Sequence, residues 1–104
     1  MEQVIELVSF KLVHGTTQKD FIEAAEKSQK FVSTLPGFLY RSLSHNEEQD
    51  SWTDTVYWRS MEDAKSAGEQ FMSCADCQPL MAMITPDSVN MQHQQIKMDS
   101  ECQK

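Results

Sequence analysis

Acidic side chains stand in the middle of two segments that otherwise have the composition of buried strands. Glu6 lies in the most apolar stretch of the chain, and Asp54 shares the face of its segment with Trp52 and Val56. A carboxylate in such a place is costly unless it is paired or hydrogen-bonded. Two carboxyl groups in one dry site raise each other's pKa, so one of them becomes a candidate general acid or base.

Two tryptophans share the face of Asp54, because Trp52, Asp54 and Trp58 fall on positions of one parity along a strand. Indole rings offer flat apolar walls to a ring-shaped ligand, and the acids offer fixed polar contacts. We therefore expect Glu6, Trp52, Asp54 and Trp58 to line one ligand cavity on the helix-free face of the sheet. In the alternative interpretation the indoles form the core of the dimer and the acids are structural, bonded to the backbone or to Arg41.

His93 and Arg41 are further candidates. His93 shares parity with Met91 and points to an apolar side, either as a third candidate catalytic group or as a hydrogen-bonded core histidine. Arg41 shares parity with Leu43. A buried guanidinium there needs an acidic partner or a bound anion, whereas on an edge strand it would reach water.

Cys74 and Cys77 form a CxxC motif. In the functional interpretations it is a redox pair, or half of a metal site that Cys102 or His93 completes. In the structural interpretation the two cysteines are small residues in a bend between helices. A single pair at a helix end favours the bend, so we expect reduced thiols and no bound metal. Three cysteines and no signal peptide indicate a reducing compartment, here predicted to be the cytoplasm.

The composition excludes several classes of protein. The 104 residues carry a net charge of −7, which disfavours binding to nucleic acid. No apolar run approaches ~20 residues, so no membrane span is predicted. A chain of this length buries about 65% of its surface, enough for one core. We expect a single domain over residues 1–98 and a polar tail over residues 99–104.

Hydrophobic periodicity predicts the elements that hold these side chains. Apolar and β-branched stretches indicate strands over residues 4–13, 38–45, 51–59 and 89–98. Stripes at a spacing of three and four residues indicate helices that begin near Thr17 and Ser60. The order β-α-β-β-α-β predicts an α+β, ferredoxin-like sandwich, with two helices on one face of a four-stranded antiparallel sheet.

Several stretches of the chain together resemble the dimeric α/β-barrel superfamily, and within it the small proteins related to antibiotic-biosynthesis monooxygenases. These stretches are VIELVSFKL, LPGF, WTDTVYW followed by SMEDAKSA, and PDSVNMQH, and they span about residues 4–95. The resemblance implies a homodimer in which two sheets face each other as a barrel. It also implies a monooxygenase without a cofactor that acts on a small aromatic or polyketide-like compound.

A separate argument also favours a homodimer. Two helices cover one face of a sheet, and the other face would expose Val8, Phe10, Trp52, Val56 and Trp58 if the parity assignment holds. So large an apolar patch is unusual on a soluble monomer, and a second copy is the simplest cover.

Two other functions stay open. The first is a non-catalytic homodimer that binds the same kind of small organic ligand. The second is haem binding or degradation, which the resemblance also includes and which uses a strand Asn, a Trp and a helix His. Trp58 fits that Trp, but Val8 stands at the Asn position and Cys77 near the His position. Both departures disfavour haem, and no cofactor is predicted.

Overall fold

The computed structural model of the chain describes residues 2–100. Its strands are β1 (Val4–Phe10), β2 (Phe38–Asn46), β3 (Ser51–Trp58) and β4 (Asn90–Gln95). Its helices are α1 (Gln18–Val32), α2 (Met61–Met72) and the short α3 (Gln78–Ala82). Single turns of 3₁₀-helix cover Ala75–Cys77 and Pro86–Ser88. The predicted ferredoxin-like α+β fold is confirmed.

The four strands form one sheet in the order β2-β3-β1-β4, and all neighbours are antiparallel. β1 and β3 therefore lie at the centre, as the fold class requires. In this register Glu6 lies opposite Val56 on one side and His93 on the other, while Asp54 lies opposite Val8. The register brings the two acids to adjacent strands on the same face.

α1 begins where the sequence predicts and ends at Val32, before Leu35 and Pro36. Thr17 is the N-cap, and its side chain accepts a hydrogen bond from the Asp20 N–H. After the helix, Gly37 adopts a φ of +83°, which favours glycine. A Cβ at Gly37 would also collide with the Asp63 side chain of α2. The buried stripe of α1 consists of Phe21, Ala24, Ala25, Ser28 and Val32.

The helices cover the face of the sheet opposite to the one expected. Phe10, Trp52, Val56 and Trp58 are buried against residues of the helices. The prediction that these residues, with Val8, form a helix-free surface is wrong. The alternation of side chains along a strand determines which residues share a face. Because β1 is apolar on both faces, this alternation does not show which face the helices cover.

The helix-free face is accordingly less apolar than predicted. Its apolar members are Ile5 and Leu7, both half-buried, together with Tyr57 and the exposed Tyr40. The two tyrosine rings meet edge to face at 5.7 Å between centroids. Threonine and glutamine side chains occupy most of the remaining positions of this face on β3 and β4.

Three strands are shorter than predicted, and β3 is so by one residue, because it ends at Trp58. β1 ends at Phe10, and Leu12 makes only an isolated bridge to Ile84. β4 ends at Gln95, short of residue 98. Of the predicted polar tail, residues 101–104, Cys102 among them, lie outside the described part of the chain. None of the helices within residues 2–100 is both long and apolar enough to cross a membrane.

Candidate active site

A polar layer crosses the helix-covered side of the sheet between two apolar clusters. We use this name for Glu6 of β1, Ser28 of α1, Arg41 of β2 and Asp54 of β3. The first cluster comprises Val4, Val32, Leu35, Val56, Trp58, Ala64 and Ala67. The second comprises Phe10, Phe21, Ala24, Ala25, Trp52 and Leu80. On β1, β3 and α1 alike, the polar residue stands between residues of the two clusters, so one layer separates them.

Glu6 is buried, and each of its carboxylate oxygens faces a different neighbour. Trp58 donates its indole N–H to Oε1 at 3.0 Å, and His93 Nε2 lies 4.0 Å from Oε2. Burial raises the pKa of Glu6 above its ordinary value of 4.5, and the nearby Asp54 raises it further. The Trp58 hydrogen bond and the charges of His93 and Arg41 oppose that rise without cancelling it.

Asp54 and Arg41 form a bidentate ion pair. Arg41 donates from Nε to Oδ1 at 3.0 Å and from Nη2 to Oδ2 at 2.8 Å. The remaining Nη1 donates to Ser28 Oγ at 3.0 Å and to Gln29 Oε1 at 3.3 Å. The guanidinium side chain is only 7% exposed, so the predicted acidic partner of a buried Arg41 is present, and that partner is Asp54.

Trp52 belongs to the second apolar cluster, apart from the polar layer. Its ring packs edge to face on Phe21, with centroids 5.1 Å apart, and lies against the His45 ring at 4.5 Å. The indole N–H is buried and has no hydrogen-bond partner within residues 2–100. A buried donor of this kind is rare in folded proteins and is available to an acceptor on a ligand.

Of the predicted site residues, the structure brings Glu6, Asp54 and Trp58 together, with His93 at the edge of the group. It places them beneath the helices, which corrects the predicted helix-free location. Trp52 is on the same side of the sheet but at the other end of β3.

Two clefts open on the surface near the layer. One has a volume of about 430 Å³ and is lined by Trp52, Asp50, His14 and residues around them. The other, of about 380 Å³, is lined by Phe31, Glu69, Gln70, Ser73 and Cys74. Neither is lined by Glu6, Asp54 or Trp58.

The cysteine pair lies where α2 ends. Cys74 is half-buried and Cys77 is fully buried, and both are free thiols. Burial, followed by the hydrogen bond with Cys74, raises the pKa of Cys77 to about 12. Across the described residues, no three His, Cys, Asp or Glu side chains are grouped so as to hold a metal ion.

Ser28 and Gln29 are members of the site that the sequence reasoning did not single out. Ser28 is fully buried, donates to the Ala25 carbonyl oxygen at 2.7 Å and accepts from Arg41. The available signal was a hydroxyl in the middle of the otherwise apolar stripe of α1. Such a hydroxyl commonly satisfies its own helix backbone, so the sequence pattern alone does not identify a partner on a strand.

The fold is shared with known oxygenases, although sequence similarity is low. SnoaB from Streptomyces nogalater, a cofactor-independent oxygenase, superposes with a TM-score of 0.77 at 18% identity, over 96% of this chain and 98% of its own. A candidate antibiotic biosynthesis monooxygenase from Bordetella bronchiseptica gives 0.76 at 16% identity, over 94% and 100%. A similar candidate from Chloroflexus aurantiacus gives 0.67 at 16%, over 93% and 95%.

No protein-family model matches the chain, and no curated protein matches it by sequence. The resemblance predicted from the sequence is thus confirmed in three dimensions, where the neighbours are antibiotic-biosynthesis-monooxygenase-like proteins. At these identities the likeness concerns the fold, and the activity has to be argued from the site.

Proposed function

We propose that this chain is a cofactor-independent monooxygenase that acts on a small aromatic or polyketide-like compound bound on the helix-covered side of its sheet. The observation that carries the proposal is Glu6, a buried carboxyl whose pKa is raised and whose Oε1 is held by Trp58. Because its pKa is raised, this buried carboxyl holds a proton more tightly than a free glutamate does, which makes it a candidate general acid or base. The shared fold with an oxygenase that needs no cofactor supports the same choice.

In this reaction Glu6 acts as the general base. It takes a proton from an acidic ring position or hydroxyl of the substrate, which leaves an electron-rich anion that reacts with O₂. A ring CH₂ becomes C=O with one oxygen atom, and the other atom leaves as water, so the substrate supplies all the electrons. Trp58 holds the carboxyl in position. His93, whose side chain is 24% exposed and lies 4.0 Å from Glu6 Oε2, is the proposed partner for proton exchange.

The other residues serve binding. Both carboxylate oxygens of Asp54 accept hydrogen bonds from Arg41. We propose that Asp54 contacts the substrate as a fixed polar group. The free indole N–H of Trp52 is a donor for a carbonyl or hydroxyl of the ligand, next to the 430 Å³ cleft through which we propose that it enters.

Oxygen uptake with a panel of dihydroxy-aromatic compounds tests the proposal. We expect consumption of O₂ by the purified protein without added metal or cofactor, and a loss of at least tenfold in Glu6→Gln, since an amide cannot accept the proton. Glu23→Gln, at an exposed position of α1, is the matched control and should keep full activity. Equal rates in wild type and Glu6→Gln would refute the role of Glu6.

A non-catalytic ligand-binding protein is the second candidate, and the Arg41–Asp54 pair favours it. Both oxygens of Asp54 are already bonded within the protein, as expected of a structural group. The two functions share one site but differ in a single readout. A compound that quenches the fluorescence of the indoles and causes no O₂ uptake would identify a binder.

We also propose that two copies associate through their helix-free faces and form the barrel that the fold implies. Ile5, Leu7, Tyr40 and Tyr57 are the apolar residues that such contact would cover. A specific interface of this kind buries more than ~1,000 Å² in total.

The cytoplasm is the compartment we propose, because its reducing conditions suit free Cys74 and Cys77 thiols.

A further inference from the structure

Cys74 and Cys77 lie across a tight turn that suits a disulfide. The Cys77 N–H donates to the Cys74 carbonyl oxygen at 3.2 Å, closing a four-residue turn. The ends of such a turn are less than ~7 Å apart between Cα atoms, and disulfides span ~4.4–6.8 Å. The Cys74 thiol is also near enough to Cys77 to contribute to the raised pKa of that residue. The backbone spacing of the two residues is therefore compatible with a disulfide.

The two thiols differ in access. Cys74 is half-buried and lines the 380 Å³ cleft beside Phe31 and Gln70. Cys77 is fully buried, in a turn that packs against α1. A reagent in the cleft therefore reaches Cys74 first, while Cys77 is shielded yet adjacent. This is the arrangement of an attacking thiol and a resolving thiol.

We propose that Cys74 and Cys77 form a thiol–disulfide exchange site for small-molecule disulfides such as glutathione disulfide. The Cys74 thiolate attacks one sulfur of glutathione disulfide, that S–S bond breaks, and one glutathione leaves as the thiolate. Cys77 then loses its proton and attacks the Cys74 sulfur of the mixed disulfide. The second glutathione leaves, and the chain holds a Cys74–Cys77 disulfide. Two thiols are oxidised and one disulfide is reduced.

The second step is the slow one at neutral pH. Burial and Cys74 raise the pKa of Cys77 to about 12, and the charge of Asp76 adds to the rise. Arg41 opposes it, and Lys27 lies 3.9 Å from Asp76 on the outside of the turn. Since the thiolate is the attacking species, conversion of the mixed disulfide should accelerate as the pH rises.

Intact mass spectrometry of the reduced full chain with glutathione disulfide tests the proposal. We expect a transient adduct of one glutathione, followed by a form that has lost two hydrogen atoms. Trypsin should cut after Lys65 and Lys97, which leaves Cys74 and Cys77 in one peptide and Cys102 in another. A cross-link within residues 66–97 is the expected result. A permanent adduct within residues 66–97 of wild type, a cross-link to Cys102, or no reaction within residues 66–97 would overturn the proposal.

Three serine variants assign the roles. Cys77→Ser should stop at the glutathione adduct, because no resolving thiol is present. Cys74→Ser should form no adduct within residues 66–97, since the remaining thiol of the pair is buried. Cys102→Ser should behave as wild type at the pair. If Cys77→Ser does not fold, the exchange rate of wild type against pH gives the same information. A rate independent of pH would exclude Cys77 as the resolving group.

Discussion

Trp58 donates its indole N–H to Glu6 Oε1 at 3.0 Å across two neighbouring strands, although the residues are 52 positions apart in the chain. The bond satisfies a buried indole and half of a buried carboxylate at once. It also leaves the other oxygen of Glu6 directed toward His93, the more exposed of the three. Glu6 is thereby fixed in place and still able to exchange a proton.

Replacement of Glu6 by glutamine should change how stability depends on pH. Because burial raises the pKa of Glu6 in the folded protein, folding favours its protonated form, and its contribution to stability is lost as pH rises above 4.5. Glutamine carries no such penalty. In urea unfolding, the free energy of unfolding of Glu6→Gln should therefore increase relative to that of wild type as the pH rises above 4.5. A constant difference across that range would contradict a raised pKa.

The Arg41–Asp54 pair should be strongly coupled. Removal of either partner leaves an uncompensated buried charge, which costs about 3 kcal/mol or more. We expect Arg41→Met and Asp54→Leu each to lose that much in urea unfolding, and the double variant to regain much of it, since two apolar side chains need no partner. Additive losses would show that the two charges do not depend on each other.

A charge on the helix-free face should separate the proposed dimer. Leu7→Asp places a carboxylate on the centre strand of that face, where contact with a second sheet would bury it. Light scattering should give twice the 12.0 kDa chain mass for wild type and the single mass for Leu7→Asp. Ile22→Asp, 41% exposed on α1, is the control and should stay dimeric. Wild type at the single mass at micromolar concentration would exclude the dimer.

The CxxC motif should not carry zinc. Zinc in proteins takes three or four ligands, and no further cysteine, histidine or acidic side chain of residues 2–100 completes such a group with Cys74 and Cys77. Elemental analysis of protein purified without added metal should give far less than one zinc per chain. Stoichiometric zinc that is lost in Cys74→Ser would reverse this expectation.

The hydrophobic pattern of the sequence determined the helices and strands, and it determined which side chains share a face of each element. The spacing of Phe21, Ala24, Ala25, Ser28 and Val32 specified α1 and its buried stripe. The parity of Trp52, Asp54 and Trp58 placed their side chains on one side of β3, and the order of elements placed β1 beside β3. These properties follow from helix and strand periods of 3.6 and 2.0 residues, which depend only on the chain itself.

The tertiary structure decided which face the helices cover and which polar groups meet. Because β1 is apolar on both sides, its sequence does not show which face of the sheet α1 and α2 cover. The helices cover the face that was expected to be free of them. The same packing joined Arg41 to Asp54 and Ser28, and Trp58 to Glu6, from four separate elements. Such contacts have no period in the sequence, because each depends on register and on helix position together.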